Sequence, residues 1–156
     1  MLYETAELGP VVGTRAPDFA LMDHRRQLYT LDDLTGEAGV VLGFIGNLWL
    51  PTSVRRILWL QRHVTKFALM GTPVALLVRD FPHILNGFHS SSPLPVPFPL
   101  LADSDGQIHR TYAMDRNPGM LLIDRYRVVR QKWMLPDDRV WPRMQELVQA
   151  IQVVQS

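Results

Sequence analysis

Residues 41–53, Val-Leu-Gly-Phe-Ile-Gly-Asn-Leu-Trp-Leu-Pro-Thr-Ser, constrain the fold more than any other stretch. They continue a β-branched apolar run from Val40 to Ile45 that is long enough only for a buried strand. The run stops in a Trp-Leu-Pro-Thr-Ser turn, after which a helix is predicted from about Thr52 to Met70, ended by Gly71. At ~100° per residue, Ile57, Leu60, Val64, Phe67 and Ala68 share the face that must pack on a sheet.

The rest of the chain repeats this alternation. Thr72 to Val78, Met120 to Asp124 and Val128 to Leu135 read as strands. Ahead of them, prolines and glycines exclude a helix over residues 9–22, and the alternation at Phe19 and Leu21 suggests a short edge strand. The polar turn at 23–27 leads to a second strand from Leu28, then to a helical turn at Asp32 to Leu34 capped by Thr30 or Asp32. A short helix is predicted to start at Pro82 and stop at Gly87, and the proline-rich segment 90–99 reads as an extended connector. Helices are expected again from about Asp105 to Met114 and from Asp138 to Val154. The latter carries Val140, Met144, Leu147, Val148 and Ile151 on one stripe, with Pro142 in its first turn. With no repeat and no linker, residues 1–156 read as one α/β domain: a mixed central sheet, helices on both faces and an N-terminal strand extension.

Composition narrows the function. A net charge of +1 gives no global reason to expect nucleic acid. No apolar run approaches the ~20 residues of a membrane span, and the acidic start lacks the pattern of a signal peptide. A cytoplasmic location without membrane contact is the expectation. The count of zero cysteines excludes disulfides, thiolate metal sites and cysteine-based redox chemistry in this chain. Neither a metal nor a cofactor is expected. Yet a strand, a tight turn and a helix start are where a thiol would be activated, because the amides and dipole of the helix end favour a thiolate.

The motifs carry a resemblance. Gly13 to Phe19 (G-x-x-A-P-D-F), Val41 to Ser53, Pro97 to Tyr112 and Pro118 to Asp124 together resemble the alkyl hydroperoxide reductase/thiol-specific antioxidant family, which includes the peroxiredoxins, within the thioredoxin-like superfamily. The resemblance implies a thioredoxin-like fold and places Leu50 and Ser53 where the two cysteines of a Trp-Cys-x-x-Cys segment would stand. Against the peroxidatic pattern P-x-x-x-T/S-x-x-C, the chain offers Gly46, Leu50 and Ser53, so every catalytic position is changed. Six residues before Asp124, where many peroxiredoxins carry an arginine, stands Pro118. That is the pattern of thioredoxin-like oxidoreductases, whose proline at this position is cis, and it implies a cis Asn117–Pro118 bond here. It also implies a substrate cleft formed by Trp49, Pro51, Thr52, Asn117 and Pro118, where an extended peptide adds by backbone pairing.

Ser53 is a weak nucleophile without an adjacent base. His63 is ten residues further along the same helix, about 15 Å away. His24, His83, His89 and His109 have no spacing that argues for a triad or a metal site. Helix capping by Thr52 or Ser53 is the plainer expectation. From Ala38 to Val78 there is no acidic residue, and Arg55, Trp59, Arg62 and Lys66 fall opposite the core face of their helix. They read as a solvated face with Trp59 packed under neighbouring chain, or as a docking surface, since Trp and Arg are frequent interface anchors. Two functions remain open. One is a catalytically silent binding or structural module, taking a protein or peptide beside Pro118 and possible as a homodimer. The other is a thiol-dependent peroxidase or disulfide reductase in which Ser53 replaces the active cysteine.

Overall fold

The computed structural model describes residues 9–92, 96–115, 117–134 and 141–155. Its central sheet has five strands: β3 (Gly39–Gly46), β4 (Val74–Val78), β5 (Leu100–Ala102), β6 (Gly119–Asp124) and β7 (Val129–Met134), in the order β5-β4-β3-β6-β7. β3, β4 and β5 run parallel, while β6 and β7 are antiparallel additions. The predicted mixed sheet is therefore present.

Alternation along the strands divides the core. Val41 and Ile45 of β3, with Met120 and Leu122 of β6, face a layer that holds α2 (Pro51–Leu69), α3 (Pro82–Ser91) and α5 (Met144–Gln155). Val40, Leu42 and Phe44 face the other layer, covered by α1 (Leu31–Leu34), α4 (Gln107–Thr111) and Tyr112. Helices thus lie on both faces, the long ones together on one side. Ile57, Leu60 and Phe67 of α2 are fully buried as the helical spacing requires, whereas Ala68 is exposed. α2 stops at Gly71, whose φ of +73° suits a residue without Cβ.

Several boundaries differ from expectation. β1 (Ala20–Met22) and β2 (Leu28–Thr30) form a separate hairpin, joined to the main sheet by a single bridge between Asp23 and Leu101. Thr30 caps α1 in a reciprocal capping box with Asp33. α3 runs through Gly87 to Ser91, because an isolated glycine costs only ~1 kcal/mol in a helix packed through Leu85. α4 is shorter than predicted, and α5 begins after Pro142 rather than around it. Residues 138–140 of that expected helix lie outside the described residues. Among the described residues no helix is long and apolar enough to cross a membrane.

Candidate functional site

β3 ends at Gly46, and the turn behind it is held from inside. Leu48 is fully buried, while Asn47 Oδ1 accepts the Trp49 amide at 3.0 Å. Trp49 and Leu50 are left exposed at 64% and 51%. Leu50 is the extended residue before α2, and Pro51 is the first helical position, where no N–H is needed. The predicted cap at Thr52 or Ser53 is therefore corrected: both lie inside the helix, and no side chain caps it. Ser53 is completely buried, and its hydroxyl donates to the Asn47 carbonyl at 2.7 Å, with the Ile45 carbonyl at 3.5 Å. It points back under the turn.

Beside this helix start lies an open cleft of about 460 Å³. Leu50, Pro51 and Thr52 line it from α2, and Asn117 and Pro118 from the approach to β6. Of the cleft residues implied by the resemblance, Pro51, Thr52, Asn117 and Pro118 line it, and Trp49 does not. The Asn117–Pro118 bond is trans, correcting the cis expectation. Trans is the intrinsically favoured isomer by about 0.5–1 kcal/mol.

Two arginines that sequence reasoning did not single out also line the cleft. Arg56 is only 2% exposed, on the core side of α2, and its carbonyl accepts the Trp141 indole N–H at 2.8 Å. Arg79 follows β4, its amide bonded to the Gly46 carbonyl at 2.8 Å. The guanidinium of Arg79 lies against Gly106, where a Cβ would stand 2.8 Å from Nε. Gly106 has φ +72°, so both its backbone and its missing side chain suit glycine.

A buried network fixes the same corner. Asp103 accepts the Ile108 and His109 amides and lies 2.6 Å from His109 Nδ1. Gly46 donates its amide to His109 Nε2 at 3.3 Å, so the contacts assign the proton to Nδ1. Burial pushes the Asp103 carboxyl up, but the hydrogen bonds from His109 and Ile108 together hold it below the usual carboxylate range. Asp103 stands in the turn after β5 and His109 within α4, so no single period spans the two and nothing local pairs them.

Of the basic face, Arg55, Arg62 and Lys66 are exposed, but Trp59 is half-buried against the core, with His63 at 4.8 Å and Phe67 at 6.4 Å. That is the arrangement expected of a covering residue. A second, more polar groove of about 540 Å³ lies at the other end of the sheet, between Met70 and Tyr126, and contains none of these residues. Among the described residues there is no cluster of three or more His, Cys, Asp or Glu that could hold a metal.

A mixed five-stranded sheet with a cleft at the start of α2 defines a thioredoxin-like protein. More narrowly, residues 12–132 match the AhpC/TSA family, and the chain belongs to it. Solved structures agree. A Chlorobium tepidum protein described as thiol:disulfide interchange protein DsbE is 25% identical, with a TM-score of 0.75 over 94% of this chain and 99% of that one. Peroxidoxin BcpB from Mycobacterium tuberculosis is 17% identical, with a TM-score of 0.76 over 96% and 97% of the two chains. AhpC from Enterococcus faecalis is 14% identical, with a TM-score of 0.81 over 94% and 93%. The last two establish likeness of fold only. No curated protein matches the sequence.

Proposed function

We propose that this chain is a catalytically silent member of its family, a binding module that keeps the redox cleft as a docking site for a protein or peptide. The observation that carries this reading is the orientation at the helix start. The exposed position is Leu50, and the only hydroxyl at a former cysteine position, Ser53, is buried and committed to the Asn47 carbonyl. Among the described residues no histidine is a hydrogen-bond partner of Ser53, so none of them is placed to draw off its proton. Peroxide reduction by this family's route needs a cysteine thiolate to oxidise, and the chain has no cysteine.

The second reading, a thiol-dependent peroxidase or disulfide reductase with Ser53 in place of its cysteine, draws support from one fact. Position 53 lies in the first turn of a 19-residue helix, where the dipole would favour a thiolate. One assay tests the silence of the chain, and a second separates the two readings. The chain as it stands should leave peroxide and disulfide substrates at buffer background, and measurable turnover would end the silent-module reading. In Ser53→Cys, burial and the facing carbonyls of Asn47 and Ile45 should keep the introduced thiol protonated, with a pKa at or above the free value of ~8.5. A thiolate already formed at neutral pH would favour the enzyme reading.

A further inference from the structure

We infer that His24 and His89 form a proton-sensitive latch, which holds the β1–β2 hairpin and α3 against β5 while both rings are neutral and releases them on protonation. None of its residues lines the cleft, so the latch does not depend on the docking role. β5 ends the sheet, and one side of its backbone has no neighbouring strand of that sheet. The turn between β1 and β2 covers that side. Leu100 donates its amide to His24 Nδ1 at 3.5 Å, and Asp23 and Leu101 form the adjoining bridge. His89, near the end of α3, accepts the Val96 amide on its own Nδ1 at 3.2 Å. The two rings lie together, with centroids 4.5 Å apart.

These contacts assign one protonation state to both rings. An Nδ1 that accepts an amide offers its lone pair, which leaves the single proton of the neutral ring on Nε2. A second proton goes to Nδ1 and turns that atom into a donor facing a donor. Protonating either ring therefore removes the acceptor of one amide and sets a positive charge beside the other ring. The same tautomer argues against a metal ion between the rings. A metal on Nε2 would force the proton onto Nδ1, against the amide. His24 is 4% exposed and its Nε2 has no hydrogen-bond partner, so a cation there finds no acceptor.

The charged groups that face His24 are Asp23 and Arg25 on its own turn and His89 on α3. Asp23 Oδ1 is already taken by the Arg25 and Gln27 amides. From Pro82 to Ala102, across α3 and β5, the chain has no carboxylate to stabilise a charged pair. His83, the other titratable group of α3, is exposed and stacks on Phe81. Burial lowers the His24 pKa from 6.5, the His89 and Arg25 charges act the same way, and Asp23 opposes them. The closed latch is thus favoured above pH 6.5, and acid favours opening.

Amide hydrogen exchange, followed by NMR on the full chain, tests the latch in wild type and in the double variant His24→Asn with His89→Asn. Asparagine offers an oxygen near the place of Nδ1 and does not titrate. After correction for intrinsic rates, wild-type protection at Val96 and Leu100 should fall between pH 7.5 and pH 5. The fall should be about 10-fold per pH unit below 6.5 for each proton taken up on opening. Protection in the double variant should stay flat, and fully buried Leu42 on the central strand should remain better protected than either amide throughout. Flat wild-type protection at Val96 and Leu100 would overturn the latch. So would protection equal to that of Leu42, because the edge would then open only with the whole molecule. A pH dependence that persists in the double variant would overturn the role of the two histidines. Should that variant fail to fold, His89→Asn alone, at a half-buried position, should make the fall at Val96 shallower, and an unchanged slope would count against the pair.

Discussion

Two buried polar side chains meet opposite fates here. Ser53 gives its proton to the Asn47 carbonyl and is satisfied, whereas His24, 4% exposed in the turn between β1 and β2, has an Nε2 atom with no partner. Its Nδ1 accepts the Leu100 amide at 3.5 Å, and the His89 ring lies 4.5 Å away. Burial holds the His24 pKa below its ordinary 6.5, the His89 and Arg25 charges push the same way, and Asp23 opposes them. The sign of the linkage follows. The unfolded chain takes up the proton first as pH falls, so stability is full above pH 6.5 and declines from there towards the lower folded value. Melting temperatures between pH 7.5 and pH 5 should therefore fall in wild type, and the slope should be shallower in His24→Gln, whatever its starting stability. A polar turn is easily read from Asp23 to Gln27, but nothing local marks His24 as buried, because the residues that cover it come from β5 and α3.

At the scale of elements, α2 organises the site and carries an unused stabilising opportunity. Its N-terminal flank is Leu50, whose side chain cannot accept an amide hydrogen bond, and its first turn holds no acid. Leu50→Asp should add a cap and a favourable charge at the positive end, raising unfolding free energy by about 1 kcal/mol in urea titrations. The helical period of α2, the glycine stop and the buried run of β3 were all legible in sequence, because period and glycine conformation are local. The cap was misassigned for an equally local reason. Pro51 can open a helix, and once it does, Thr52 and Ser53 are already within the first turn.

Across the whole molecule, stability is concentrated where the sheet joins its two apolar layers. Phe44 on the central strand is fully buried and touches Tyr112 and His109, with ring centroids 5.2 Å and 5.3 Å away. Phe44→Ala should cost about 3–5 kcal/mol, a large share of the ~5–15 kcal/mol that holds a domain of ordinary stability. Leu69→Ala, at a side chain 84% exposed, should stay within about 0.5 kcal/mol. Denaturant midpoints for the pair would check that contrast.

The sequence alone determined the order and type of most elements, the missing redox sulfur and the family likeness, since each is written in periodicity, in turn residues or in a count. Tertiary structure decided what no local pattern holds: which face of the helix start Ser53 turns to, the Asp103–His109–Gly46 linkage, and the gathering of Leu50, Arg79 and Pro118 around one cleft. Those contacts join residues from separate strands and helices, and their energies exist only once the sheet has brought the elements together.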